Sequence, residues 1–422
     1  MSEENTALWN MGFKTIQELE TDFGILASGK DEIYGCIFGR DSLITALKLI
    51  KTYNKNGDQY FLKLVKKILI NLIQLQGKDI NIESGEEPGK IIHEYRTHNY
   101  EHLVSMENPW YLYADNTIRN YDSVDSTPLF LIAAYRYIQA SHDMSFLEDS
   151  IESIHKALAW MTLYGDSNGD GFIDYSFNPD RKFGGLHTQS WMDSSESIFH
   201  EDGTPTSYPI APLEVQGYAY LAFALWSKYF ADSDSTLSIN LSFTAKNLKE
   251  KFNEKFVIPG DSFQLASAID GSGKPLLSVR SSMGHILWAA QTEELDGISD
   301  CILSEEHVPR LIERLLCSDL FEPNAGIRTL SKHSAHYDPR SYHNGSIWPH
   351  DTAMVATGFE NFGYLKESNI LRKSLRLAWK HFGTPIELFV YTEGEFQEYQ
   401  SKSGQKACVK QAWSAASILA EI

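Results

Sequence analysis

The chain has 422 residues, 42% hydrophobic and 22% charged, which is enough apolar content for a sizeable core and too much for a disordered chain. A formal net charge of -19 argues against nucleic-acid backbones and anionic membrane surfaces as main partners, while a local Arg or Lys cluster could still hold an anionic small molecule. The four cysteines, Cys36, Cys301, Cys317 and Cys408, are far apart and show no CxxC spacing, so neither a disulfide frame nor a zinc site is indicated. The N-terminus lacks a basic and an apolar region, and no stretch approaches ~18 uninterrupted apolar residues. The expectation is a cytoplasmic protein with no membrane partner.

Residues 5–28 carry Leu8, Met11, Ile16, Leu19 and Phe23 at roughly helical spacing. Gly39-Arg40-Asp41-Ser42 leads into an apolar helix, and a second helix covers about 58–76. A Gly- and Glu-rich excursion over 77–124 is too long for a plain connection. Helices are expected near 126–141 and 147–163, then a loop over 164–208, then helices near 212–232 and 238–256. Less regular sequence leads to helices near 305–316, 345–360 and 366–382, and to a last helix from about Gln411. Strand signals are sparse. About twelve helices in pairs, with no linker between halves, predict an all-α single domain over 1–422, arranged as six helical hairpins closed into an (α/α)6 toroid.

The loop 184–197 combines two glycines, an indole, carboxylates and a run of hydroxyls, and no amphipathic period runs through it. Such a loop suits a polar ligand better than a core. A glycosidic oxygen leaves poorly unless protonated, so a carboxyl still protonated near neutral pH is needed. Asp193, two residues after Trp191, fits if the indole half-buries it. Glu196 is the alternative acid. Arg40 and Asp41 could orient carboxylates and bind sugar hydroxyls, or form only a capped helix start. His93, Glu94 and Arg96 lie in the long excursion. Glu214 and Tyr218 share a helix face. Tyr342, His343, Asn344 and Trp348 cluster before the 345–360 helix. Aromatics are 12% of the chain, and indoles among carboxylates and amides suit the apolar faces and hydroxyl rims of sugars. An inverting hydrolase also needs a second carboxylate, and either Glu387 or Glu398 could serve. The segment 166–174 resembles half of an EF-hand loop, but Phe177 stands where the bidentate Glu should be. A structural turn is the leading reading there, with calcium the alternative, and no zinc is expected from His343, His350 and Asp351, whose spacing is not a recognised metal pattern.

Taken together, FGRDS (38–42), GKIIHEYR (89–96), YDSVDSTPLF (121–130), DSNGDGFIDY (166–175), SWMDSSESIF (190–199), PIAPLEVQGY (209–218), GIRTL (326–330), SYHNGSIWPHD (341–351) and QAWSAA (411–416) resemble one family. It is the amylo-α-1,6-glucosidase and mannosylglycerate/glucosylglycerate hydrolase group, glycoside hydrolase family 63 and its relatives. The resemblance implies the toroid, inversion, Asp193 as general acid and a glutamate before the terminal Trp-Ser element as base. Glu398 matches that context better than Glu387, whose Pro-Ile-Glu-Leu differs from the family's element at Ile386. It further implies substrate contacts from Arg40, Asp41, His93, Glu94, Arg96, Gln189, Trp191, Glu214, Tyr342, His343, Asn344, Trp348 and Gln411. The chain has no room for the transferase domain of large debranching enzymes. It looks more like the small glycosylglycerate hydrolases, whose anionic aglycone Arg40 or Arg96 would meet. The expected activity is exo release of a hexose from a small α-glycoside such as glucosylglycerate or mannosylglycerate, with no cofactor. The alternatives are trimming of α-1,6-linked glucan oligosaccharides and a non-catalytic sugar-binding toroid. Oligomeric state is not legible.

Overall fold

The computed structural model describes residues 2–260, 263–292 and 299–422. In chain order its helices are α1 (Glu3–Leu19), α2 (Gly39–Asn56), α3 (Gln59–Gln74), the single turn α4 (Glu101–Val104), α5 (Ser126–Ser141) and α6 (Met144–Leu163). They continue with α7 (Leu213–Phe230), α8 (Ser235–Lys255), the single turn α9 (His285–Trp288), α10 (Val308–Leu315), α11 (Pro349–Asn361), α12 (Leu365–Phe382) and α13 (Ala412–Glu421). Caps account for several of the boundaries. The Asp58, Asp143 and Asp234 carboxylates accept N-terminal N–H groups of α3, α6 and α8. Gly57 and Gly383 end α2 and α12 in the left-handed conformation.

Two kinds of helix alternate. Every residue of α7 from Leu213 to Trp226 is buried, whereas α8 buries only Leu241, Ala245, Leu248 and Phe252, one stripe at helical spacing. A helix apolar all round must be enclosed, and one with a single stripe can cover it while facing water. The packing follows this division. Helix α2 packs on α5, α5 on α7, α7 on α9, α9 on α11, α11 on α13, and α13 on α2. A second helix covers each of them: α3 on α2, α6 on α5, α8 on α7, α12 on α11, α1 on α13, and α10 on the 3-10 turn Ser281–Gly284 that precedes α9. One apolar cluster runs from Ile16 to Leu419 through these contacts. Where α9 meets α11, a Cβ on Gly284 would stand 2.6 Å from Val355 and one on Gly358 2.9 Å from the Trp288 nitrogen, so glycine permits the approach.

The excursion 77–124 is tied back by short antiparallel strands. Phe38 pairs with Glu94, and Glu94 with Asn120, so the segment before α2 is locked to the long loop. In 166–174 the Asp166 carboxylate accepts the N–H groups of Gly169, Asp170 and Gly171, and the Lys251 ammonium donates to the Asp170 carbonyl. The N-terminal helix is shorter than its apolar spacing suggests. It stops at Leu19, and residues 20–25 turn back as a tight hairpin around Gly24, whose φ is +106°. Among the described residues no helix is long and apolar enough to cross a membrane.

Candidate active site

Helices α2, α11 and α13 all begin at one cavity. Phe38, Trp348 and Gln411 are their N-caps and line it, with Arg40 and Asp41 from the first turn of α2. The loop before α7 adds Trp191 and Asp193, the loop before α11 adds Tyr342 and His343, and the segment between α12 and α13 adds Glu387. Counting the open space at its mouth, the cavity holds about 380 Å³ of empty volume. Helix N-termini carry partial positive charge, which favours carboxylates placed there.

Asp193 is held from one side. Arg40 Nη1 donates to its Oδ2 at 3.1 Å, while Arg40 Nε donates to Asp125 at 2.6 Å and Nη2 to the Ser190 carbonyl at 2.9 Å. The guanidinium is 3% exposed and the Asp193 side chain 25%, so the base of the pair is fixed and the carboxyl reaches the cavity. Burial pushes the Asp193 carboxyl up to about 6, against the opposing pull of Arg40. Asp125 starts α5 but makes no side-chain cap; it accepts from Arg40 and Ser123 instead. Its Asp-Ser-Thr context reads as a cap, and the structure makes it the anchor for Arg40.

Glu387 is held from another side, by the Tyr342 hydroxyl on Oε1 and by the Cys408 N–H on Oε2 at 2.7 Å. Burial pushes it up to about 7, with the Tyr342 hydrogen bond opposing. Glu398, the glutamate expected as base, lies elsewhere. It sits exposed on the strand Glu395–Glu398 and does not line the cavity, whereas Glu387, five residues after Phe382 at the end of α12, is 1% exposed and does. Asp41 is raised further, to about 8, by burial and then by the neighbouring carboxylates Asp193, Glu387 and Asp125, with Arg40 opposing.

Indoles and imidazoles wall the site. Trp191 meets Trp348 edge-on at 5.6 Å and stacks near His285 at 5.7 Å, His343 stacks on Trp348 at 5.2 Å, and Trp413 stacks on His350 at 3.7 Å. Burial beside Arg280 and Arg40 keeps His343 well below the usual imidazole range, hence neutral.

Of the substrate-contact residues expected from sequence, Arg40, Asp41, Trp191, Tyr342, His343, Trp348 and Gln411 line the cavity; His93, Glu94, Arg96, Gln189, Glu214 and Asn344 are buried but not on its lining. Arg96 pairs with Glu94 and donates to the Asn99 and Ile33 carbonyls, so both hold the loop. His93 packs edge-on against Phe38 at 5.3 Å. Gln189 donates to the Ser176 and Leu186 carbonyls, and Asn344 donates to the Glu196 carbonyl and accepts from Arg280. Glu214 is buried on α7 and raised by burial to about 7. Glu196, the alternative acid, is exposed and lies off the lining. The sequence reading did not single out three lining residues, Tyr34, Phe38 and Trp413. Phe38 and Trp413 flank named site residues and could have been found; Tyr34 sits in an unpatterned turn that offers no signal.

A small indole-walled cavity holding carboxyls of raised proton affinity is the site of a glycoside hydrolase, and that is the class of this protein. Residues 71–420 match the family model for amylo-α-1,6-glucosidase, and the chain belongs to that family. No curated protein matches the sequence. Among solved structures, the glycoside hydrolase family 63 mannosylglycerate hydrolase from Thermus thermophilus in complex with Tris is similar, with TM-score 0.67 and 12% identity over 98% of this chain and 99% of that one. A rhamnosidase from Klebsiella oxytoca with rhamnose bound has TM-score 0.61 and 13% identity, covering 99% of this chain and 64% of its own. At these identities the likeness is one of fold.

Proposed function

We propose that the protein is an inverting, exo-acting α-glycoside hydrolase that releases one hexose from a small α-glycoside, with Asp193 as general acid and Glu387 as general base. The observation that carries this reading is a pair of carboxyls on one cavity, gripped by different partners and both raised by burial. Asp193 protonates the leaving oxygen as the bond to the anomeric carbon breaks. Glu387 takes a proton from the water that attacks the opposite face of the oxocarbenium-like sugar, and the Tyr342 hydroxyl orients that carboxylate. Two carboxyls and a shaped cavity suffice for this chemistry, so no organic cofactor enters it.

The closed order of helix contacts from α2 round to α13 supports a six-hairpin (α/α)6 toroid, and the continuous apolar cluster supports one catalytic domain over 1–422. A cavity set among the N-termini of α2, α11 and α13 and walled by indoles supports attack at a chain end or on a short glycoside over attack within a polymer. Glycosylglycerates and neutral α-glucosides both meet that description. The family match favours, as a second reading, α-1,6-linked glucan oligosaccharides. A purely sugar-binding role leaves the two raised carboxyls without a task.

Three variants test the roles. Asp193→Asn and Glu387→Gln are each expected to lower kcat by roughly 10²–10⁴-fold, while Glu398→Gln stays within about twofold of wild type. Near-wild-type turnover in Glu387→Gln, or collapse in Glu398→Gln, would return the base to Glu398.

A further inference from the structure

The aglycone is attached through the oxygen that Asp193 protonates, so groups near that oxygen meet the Asp193 side of the cavity. In a 2-O-glycosylglycerate the carboxylate sits on the carbon that bears this oxygen, and no bond rotation carries it far away. Three side chains of the lining are carboxyls, Asp41, Asp193 and Glu387, and Arg40 is its one Lys or Arg among the described residues. All three nitrogens of that guanidinium are already engaged, by Asp125, Asp193 and the Ser190 carbonyl. Off the lining, Arg280 is 3% exposed and donates to the His343 and Ser197 carbonyls and to Asn344. Arg96 is committed to Glu94 and two carbonyls. Arg340, on the loop that carries Tyr342, is exposed and donates to Gln397.

The hydrogen-bonding inventory leans the same way. Besides its carboxyls the lining offers one buried acceptor without a protein partner, the Gln411 Oε1, and two such donors, the Trp191 and Trp413 Nε1, a mixed set that a hydroxyl can serve on both sides. The Asp41 carboxyl likewise takes no side-chain hydrogen bond from the described residues, and burial first and then Asp193, Glu387 and Asp125 raise it. Acceptors of this kind need protons from the ligand. A hydroxyl supplies one, and a carboxylate at neutral pH has none to give. An anion brought into such a site would lose its hydration with no uncommitted Lys or Arg on the lining to replace it.

Resting on the hydrolase reading above, we infer that the natural aglycone is a neutral polyol or sugar, and that the site discriminates against an aglycone carboxylate. Arg40 is then a clamp for the acid, and neither it nor Arg96 is an anchor for glycerate.

The test uses substrates that differ at one carbon. The Asp193→Asn full chain is titrated calorimetrically with α-glucosylglycerol against α-glucosylglycerate, and with the two α-mannosyl counterparts, so that hexose preference and charge preference separate. The expected result is at least tenfold tighter binding of the glycerol glycoside in the better hexose series, which corresponds to about 1.4 kcal/mol. Equal or tighter binding of the glycerate glycoside overturns the inference, as does the absence of binding by either neutral glycoside. Wild-type turnover of the same four compounds is followed in parallel. A glycerol glycoside that binds without being cleaved would sink the hydrolase reading and leave the charge discrimination standing. A glycerate glycoside that is both bound and cleaved with preference would do the reverse.

Discussion

At the scale of single residues, two carboxyls share a cavity yet differ in what holds them. Asp193 meets a guanidinium and reaches the cavity, so it is raised only to about 6. Glu387 meets a phenol and one backbone N–H, is more enclosed, and rises to about 7. Turnover needs the acid protonated and the base ionised. The base Glu387 takes up a proton as pH falls below about 7 and the acid Asp193 loses its proton as pH rises above about 6, so the productive form is a minor one whose population is level between these values and falls on either side. The expected pH profile of kcat/KM is therefore a narrow bell with its maximum between about pH 6 and 7. A profile still flat at pH 9 would contradict the assignment. Asp193 and its indole were legible as cavity residues because Trp191 and Asp193 lie close together in a loop without helical period. The choice between Glu387 and Glu398 was not. Both sit among aromatics, and only the chain path shows that Glu387 lies where Tyr342 and the Cys408 N–H converge, while Glu398 faces solvent on a hairpin. His93, Glu94 and Arg96 look catalytic in sequence for a related reason. Buried polar residues that fasten a loop and buried polar residues that touch substrate have the same composition.

At the scale of elements, the start of α2 is the most constrained point of the site. Gly39 donates its N–H to the His93 carbonyl, and a Cβ placed on it would lie 2.0 Å from the Ile92 carbonyl oxygen. The long excursion thus presses directly on the turn that presents Arg40 and Asp41. Gly39→Ala is expected to destabilise the fold by roughly 1–3 kcal/mol and to cut kcat/KM by more than tenfold, because the shift moves the clamp on Asp193. Unchanged stability and activity would show that the loop and helix start are not coupled. Helices with a clear apolar period, such as α5, α6 and α12, were expected within about three residues of where they lie. The single turn α9 was not, because four residues show no period. Its place in the contact order comes from Gly284 and Gly358 and not from any pattern of its own.

At the scale of the whole molecule, the active-site end carries carboxyls that the fold prefers protonated. Asp41 rises to about 8, Glu214 and Glu387 to about 7, and Asp193 to about 6. Because folding raises these values, the stability they contribute is full below the unfolded carboxyl range near 4 and is lost as pH climbs through about 6 to 8. Glu421 behaves oppositely. Lys51 and Arg372 hold it down to about 2, so its contribution persists at neutral pH and disappears in acid. Asp41→Asn is expected to raise Tm relative to wild type at pH 8.5 and to leave it nearly unchanged at pH 5, while lowering activity at both. An equal shift at the two pH values would mean that Asp41 does not titrate in this range. The helical class of the fold was legible because buried and one-striped helices alternate along the chain. The order of contacts from α2 round to α13 was not, since it depends on which inner helices touch, and the expectation of closure rests partly on the family resemblance.

The most direct test of the central claim is the anomer first released by the wild-type protein, followed by proton NMR during the opening minutes of hydrolysis of small α-glycosides, with Asp193→Asn and Glu387→Gln alongside. The account requires β-hexose to appear first in wild type and no release by either variant. Early α-hexose would mean retention through a covalent intermediate, and it would contradict Glu387 acting as a base on water.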